Sequence, residues 1–171
     1  MKIASTVIKK RLVLVIHNVR SALNVGSLFR TADGAGVSRI FLTGYTPTPA
    51  KEKTVYRTKA EKELAKTALG AEKNVSWEKS VTLSKVLMKL RQEKFEIVGL
   101  EQDKKSVDYR KYSPKKNVAL LVGNEVLGID TKVLKQCGVI IEIPMKGKKN
   151  SLNVSVATGI ALYQIMSTME V

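Results

Sequence analysis

The sequence is poor in the residues that build metal and redox centres: it has one cysteine, Cys137, and one histidine, His17, in 171 residues. A lone cysteine rules out an intramolecular disulfide and a cysteine-based zinc framework, and it fits a reducing compartment. With one histidine beside it, the usual transition-metal clusters cannot be built, so no metal site is expected. His17 ends an apolar run and reads as a strand-end polar residue rather than a catalyst. The charged N-terminus lacks an apolar signal core and no apolar run is long enough to cross a bilayer, which predicts a cytoplasmic protein without a membrane partner. Glycine fingerprints are missing too. No G-x-G-x-x-G follows the first apolar run, where the turn holds only Gly26, and neither G-x-x-x-x-G-K-[ST] nor G-x-S-x-G occurs. Acidic residues are scarce: 15 Asp and Glu stand against 30 Lys and Arg, a net charge of +15. Such an excess favours a polyanion through phosphate neutralisation and counterion release. Because basic clusters recur at Lys9-Lys10-Arg11, residues 51–59, Lys104-Lys105, Lys115-Lys116 and residues 146–149, nucleic acid is the expected partner rather than water alone.

With 44% hydrophobic residues the chain can bury one sizeable core, and its charge spacing offers no place to divide it, so residues 1–171 are expected to form one domain. Neither repeats nor low-complexity linkers interrupt it. The runs RLVLVIHNV (11–19), RIFLTGY (39–45), FEIVGLEQ (95–102), NVALLVGNE (117–125) and GVIIEIPM (138–145) are apolar on both faces, as buried strands are. Residues 75–77 can form a further strand. Helical spacing predicts helices over 24–36, 59–69, 82–94, 131–138 and 151–166, and prolines among polar residues predict an exposed loop over 45–56. This alternation predicts an α/β fold with a mostly parallel sheet covered by helices on both faces. In open parallel sheets, ligand chemistry gathers beyond the carboxyl ends of the strands. There the sequence places His17-Asn18 and residues 24–30, then Gly123-Asn124-Glu125, then Ile143-Pro144-Met145 and Ser151-Leu152-Asn153. Three strand exits are expected to converge on one site.

In order and spacing, the segments HNVRSALNVGSLFRTADGAGV, LLVGNEVLGI and IEIPMKGKKNSLNVSVATGIALY resemble the three signature motifs of the SpoU (TrmH-like) class of SPOUT RNA methyltransferases. The resemblance spans nearly the whole chain. It implies an enzyme that moves a methyl group from S-adenosylmethionine to a ribose 2′-hydroxyl of tRNA or rRNA. A C-terminal deep trefoil knot and a homodimer are implied as well, and VSVATGIALYQIM agrees with the latter by carrying small and apolar residues on more faces than one core uses. The length leaves no room for a separate RNA-binding extension, so the domain's own lysines are expected to grip RNA. By the same resemblance Gly123, Ile143 and Leu152 contact the cofactor, and Ile143, Met145 and Leu152 can wall an adenine while Pro144 stiffens the hook. Gly123 and Gly147 are expected where backbone approaches too closely for a side chain.

The resemblance further implies that Asn24, Arg30, Glu125, Ser151 and Asn153 form the active site. A sulfonium is already a good leaving group, so the protein's task is to orient the ribose oxygen and help remove its proton. Arg30 is the first candidate. A guanidinium stays protonated, which makes a bidentate clamp on the phosphate beside the target ribose chemically easier than a general-base role, with Ser151 or a water relaying the proton. Glu125 is expected to orient Arg30 or Asn24. Asn24 and Ser151 also suit helix N-caps, a position that attracts phosphate as well. Asn153 is expected inside the last helix, where asparagine is a poor helix former. The alternatives are a non-catalytic RNA-binding SPOUT relative and a SPOUT enzyme methylating another RNA position. The order Ser-Leu-Asn-Val at 151–154 favours the tRNA-core and rRNA type over the wobble-ribose type, which typically reads Ser-Met-Asn-Leu. That all five polar residues are present argues against a catalytically dead relative.

Overall fold

The computed structural model describes residues 10–169, which leaves Lys9 of the first basic cluster outside the described residues. Runs of uncharged Leu, Val, Ile and Ala make β1 (Leu12–His17) and β6 (Asn117–Val122) the interior of the sheet, each buried along almost its whole length. They lie side by side, with Leu14 opposite Leu120. β2 (Arg39–Thr43), β4 (Phe95–Leu100) and β7 (Val139–Glu142) are the other expected strands, and β3 (Trp77–Ser80) and β5 (Val107–Asp108) form the edges. The seven strands run in the order β3-β2-β1-β6-β4-β7-β5. Every pairing is parallel.

Strand alternation then sorts the core into two faces. Leu12, Leu14 and Ile16 of β1 point toward α1 (Ala22–Gly34), α2 (Lys59–Ala68), α3 (Ala71–Asn74) and α6 (Val154–Met169). Val13 and Val15 point the other way, toward α4 (Leu83–Gln92) and α5 (Thr131–Leu134). The expected α/β architecture, a parallel sheet covered on both faces, is what forms. Helix α2 closes over α1 so tightly that a Cβ on Gly26 would fall on the Thr67 hydroxyl and the Leu64 carbonyl oxygen. The Thr67 hydroxyl also donates to the Leu23 carbonyl at 2.8 Å, tying the two helices directly.

Several boundaries differ from the sequence reading, each for a local reason. The third strand starts at Trp77 rather than Val75, because Val75 ends α3, its N–H bonded to the Ala71 carbonyl. Helix α5 is one turn and stops at Leu134, well before Gly138. β5 and α3 were not expected, being two and four residues long, too short for any periodicity to show. Residues 44–58 contain neither helix nor strand, as the prolines predict.

Candidate active site

Strands β6, β4 and β7 are neighbours in the sheet, and their carboxyl ends open onto one cleft, while the exit of β1, on the other side of β6, leads to the polar cluster beside it. Of the three exits predicted from the sequence, those of β6 and β7 line this cleft together with Glu101 and Gln102 after β4, and that of β1 meets them beside it through Asn24, which bonds Glu125 and Asn153. The cleft has a volume of about 290 Å³ and is lined by Gly123, Ile143, Met145 and Leu152 along with Glu125 and Ser151. All four candidate cofactor contacts therefore face one space. At Gly123 a Cβ would sit 2.5 Å from the Gly128 carbonyl oxygen and 2.8 Å from Ile129 Cγ1, which explains why only glycine serves there. Gly147 is different. A Cβ there would meet nothing within 4 Å, so the close backbone approach expected at this glycine is not present.

Glu101 and Gln102 hold two walls of the cleft and were missed in the sequence. The Glu101 carboxylate accepts from the Ile129 N–H at 2.9 Å, and the Gln102 amide donates to the Asn150 carbonyl at 2.6 Å. Since both partners are backbone groups, no pattern of side chains announces these bonds.

Beside the cleft lies a polar cluster organised by Glu125. Its carboxylate accepts from the backbone N–H of Arg20 at 3.0 Å, the N–H of Ser21 at 2.9 Å and the Asn24 side-chain amide at 3.1 Å. Burial alone would raise this carboxyl, but the hydrogen bonds from the Arg20 and Ser21 backbone and from Asn24 outweigh it and hold its pKa below the ordinary value. The Asn24 amide is oriented from both ends, because its oxygen accepts from the Asn153 side-chain nitrogen at 3.1 Å. Asn153 in turn uses its own oxygen to accept from the Ser155 N–H at 2.9 Å. Asn24, more than a hundred residues from either partner in the chain, thus joins Glu125 and Asn153 into one continuous relay.

Three expectations change here. Asn24 is not the cap of α1; Ser21 is, its side-chain oxygen accepting from the Asn24 N–H at 3.3 Å. The last helix begins at Val154, which puts Asn153 at its start, where its carbonyl accepts from the Ala157 N–H, instead of in its interior. Asparagine is a preferred residue at such a position, so its presence has a structural reason after all. Ser151 precedes the helix, exposed at the rim of the cleft. Arg30 is exposed on α1 and hydrogen-bonds to none of the other four residues among the described residues. At 3.6 residues per turn, six residues past Asn24, it leaves the helix about 120° away from that side chain. Glu125 therefore orients Asn24 and not Arg30.

His17 has a structural assignment. The Tyr45 N–H can only donate, so the oxygen of the Asn18 side chain must face it at 3.3 Å, which turns the Asn18 nitrogen toward His17 Nε2 at 3.1 Å. Nε2 is then the acceptor, and Nδ1 carries the proton toward the Thr43 hydroxyl at 2.8 Å. Burial lowers the His17 pKa, consistent with this neutral ring.

Comparison with known proteins agrees with the geometry. The chain is 31% identical over 153 residues to a Staphylococcus aureus (strain COL) protein assigned to the TrmH family of tRNA/rRNA methyltransferases, covering 90% of this chain and 57% of that protein. Among solved structures, the AdoMet-bound rRNA methyltransferase of Sinorhizobium meliloti superposes with a TM-score of 0.77 at 28% identity, covering 91% of this chain and 56% of that one. The A. aeolicus TrmH/SpoU tRNA modifying enzyme gives a TM-score of 0.77 at 30% identity, covering 95% of this chain and 78% of its own. The chain thus spans little more than half the length of the curated relatives it matches. A sequence model of the SpoU rRNA Methylase family matches residues 11–163, a span that takes in the cleft and the Glu125-Asn24-Asn153 relay, and the chain belongs to that family.

Proposed function

We propose that this protein transfers the methyl group of S-adenosylmethionine to a ribose 2′-hydroxyl of tRNA or rRNA. The observation that carries this reading is the juxtaposition of the cleft walled by Ile143, Met145 and Leu152 with the relay of Glu125, Asn24 and Asn153 at its side. When bound, the cofactor supplies an electrophilic methyl on a sulfonium. Ile143 and Leu152, which line the cleft, would enclose its adenine, and the crowded Gly123 turn would bring backbone against it. Asn24 and Ser151 would orient the attacking ribose oxygen, and Ser151 or a water would relay its proton to solvent while the oxygen takes the methyl from the sulfonium, whose S–CH₃ bond breaks to leave a thioether. Arg30 clamps the adjacent phosphate from outside the relay. The activity is tested by incubating the protein with methyl-labelled S-adenosylmethionine and RNA from cells lacking the gene, then hydrolysing the RNA in alkali. A methylated 2′-oxygen cannot attack its phosphate, so label in alkali-resistant dinucleotides supports the reading. Label in mononucleotides marks another RNA position, and RNA binding without transfer marks a non-catalytic relative.

The same reading includes a cytoplasmic homodimer with the C-terminal segment tied in a trefoil knot. No helix among the described residues is long and apolar enough to cross a membrane. In support of the dimer, α6 buries Ala161, Leu162 and Ile165 but leaves Val156 at 50%, Ile160 at 36% and Tyr163 at 56% exposure. Leu23 of α1, the helix against which α6 packs, is a further exposed apolar residue. Ile160→Arg is expected to convert the dimer to a monomer in sedimentation at micromolar concentration, and an unchanged mass would move the interface elsewhere. A knotted chain, pulled from its ends in an optical trap, stops short of its full contour length, whereas an unknotted one reaches it.

RNA affinity is expected to fall steeply with salt. Lys148 and Lys149 are exposed on the loop between β7 and α6 and stand outside the cleft lining. Replacing both with alanine should weaken RNA binding and reduce the slope of log affinity against log salt by about 1–2 units while sparing cofactor affinity. A parallel loss of the cofactor would put those lysines in the pocket.

A further inference from the structure

We propose that Tyr45 is a stacking platform for an RNA base beside the Glu125-Asn24-Asn153 relay, a role that rests on the reading of RNA as substrate. The Tyr45 side chain is 57% exposed, yet it is fixed in place. Its hydroxyl accepts from the Asn124 side-chain nitrogen at 3.0 Å, and its backbone N–H donates to the Asn18 side-chain oxygen. Asn124 cannot swing away. Its oxygen accepts from the N–H groups of Val126 and Leu127 at 2.8 and 2.9 Å, and the nitrogen that holds Tyr45 also donates to the Asn18 carbonyl at 3.0 Å.

The turn that carries Tyr45 is braced as firmly. Lys79 reaches from β3 to donate to the carbonyls of Gly44 and Thr46, each at 2.7 Å, and the Thr46 hydroxyl donates to the Thr43 carbonyl at 2.8 Å. Gly44 has a φ of 63°, and a Cβ there would land on the Asn18 side chain, so the turn has one workable residue at that position. Holding a tyrosine still in open solvent forfeits rotamer freedom that an exposed ring normally keeps. Tyr56 shows the contrast: it is 90% exposed and its hydroxyl makes no hydrogen bond among the described residues.

Location and charge select the ligand. Asn124, which grips the Tyr45 hydroxyl, is the chain neighbour of Glu125, so the ring stands at the entrance to the polar cluster. The loop that continues from Tyr45 exposes Lys51, Lys53 and Arg57. A rigid aromatic face followed by a run of cations is the arrangement that holds single-stranded nucleic acid, with stacking for the base and cations for the backbone. Because stacking tolerates any base, Tyr45 fixes the position of a nucleotide next to the reacting ribose without reading its identity.

The test compares Tyr45→Ala and Tyr45→Phe with the wild type in binding RNA purified from cells lacking the gene, with S-adenosylmethionine affinity measured on each protein as the control for folding. Tyr45→Ala is expected to bind RNA about tenfold or more weakly, while Tyr45→Phe, which keeps the ring, stays within about threefold. Cofactor affinity should be unchanged in both. The proposal is overturned if Tyr45→Ala binds RNA as the wild type does, the result a protein-docking role would give. It is equally overturned if Tyr45→Phe is as weak as Tyr45→Ala, since the hydroxyl bond to Asn124 would then be what matters, or if the cofactor is lost together with RNA. Should wild-type protein neither bind nor methylate RNA, the underlying reading fails and the platform with it; methylation undiminished in Tyr45→Ala removes the platform alone.

Discussion

Arg30→Ala is expected to lower turnover about a hundredfold or more while leaving S-adenosylmethionine affinity at the wild-type level, because without the clamp on the adjacent phosphate the ribose oxygen is misplaced, and a misplacement of that kind costs about that much. The structure gives the second half of this expectation its force, since Arg30 is on α1 and takes no part in lining the cleft. Arg30→Lys separates the two ways the residue can act. Lysine keeps the charge but loses the planar fork, so a phosphate clamp predicts a raised KM for RNA with a moderate fall in kcat. If the side chain accepts the proton, kcat collapses and recovers at higher pH, where the lysine amine becomes neutral. The carboxylate of Glu125 does not confuse that profile. Its pKa is lowered in the fold, so its contribution is complete above the ordinary value of 4.5 and is lost only as pH falls through the lowered one. Arg30 bonds to none of the relay residues in its own chain, so mixing Arg30→Ala with Glu125→Ala chains is a further measurement. Recovered activity would show the arginine serving the other copy's relay. Full activity in Arg30→Ala would remove the residue from the site.

Gly123→Ala should weaken cofactor binding more than tenfold. The added methyl would press on backbone, the Gly128 carbonyl, rather than on a flexible side chain, so relief requires the whole turn to move. That turn is pinned by paired hydrogen bonds between Asn124 and Gly128, at 3.1 and 3.0 Å, and by Glu101 on Ile129. Overpacking of this kind costs about 1–3 kcal/mol, and even the middle of that range is more than tenfold in affinity when the turn forms the pocket wall. Calorimetry on the variant, with a thermal melt to show that it remains folded, decides the matter. Wild-type affinity would place the cofactor away from this wall.

The centre of the sheet was legible because β1 and β6 contain no charged residue: LVLVIH and NVALLV admit few structures other than buried parallel strands. The two-residue β5 and the four-residue α3 were not, since neither is long enough to show a period. Site residues were found as types but not as contacts. Glu125 could be named from the Gly-Asn-Glu segment, yet two of its partners are the backbone N–H groups of Arg20 and Ser21, which carry no signature in a side-chain pattern. Apolar spacing places a helix only to within a few residues, so the sequence puts Asn153 inside the last helix, and its role as a helix start becomes visible from its bonds to Ser155 and Ala157. Tyr45 passed unnoticed in a loop for a related reason: what fixes it is a meeting of four chain segments.

The two outer strands have a bearing on how copies of this chain can meet. β3 presents Glu78 and Lys79 to solvent, with Glu78 ion-paired to Lys89 of α4, and β5 is two residues long and ends at Asp108, itself ion-paired to Arg110. Neither border offers the long, flat, apolar row of free amide groups that would let a second sheet zip onto the first. Self-association is thereby denied its least selective route, fibre-like growth by strand addition. What is left for a second copy is the helical surface, where fit depends on shape and where an isologous contact would close after one partner instead of propagating.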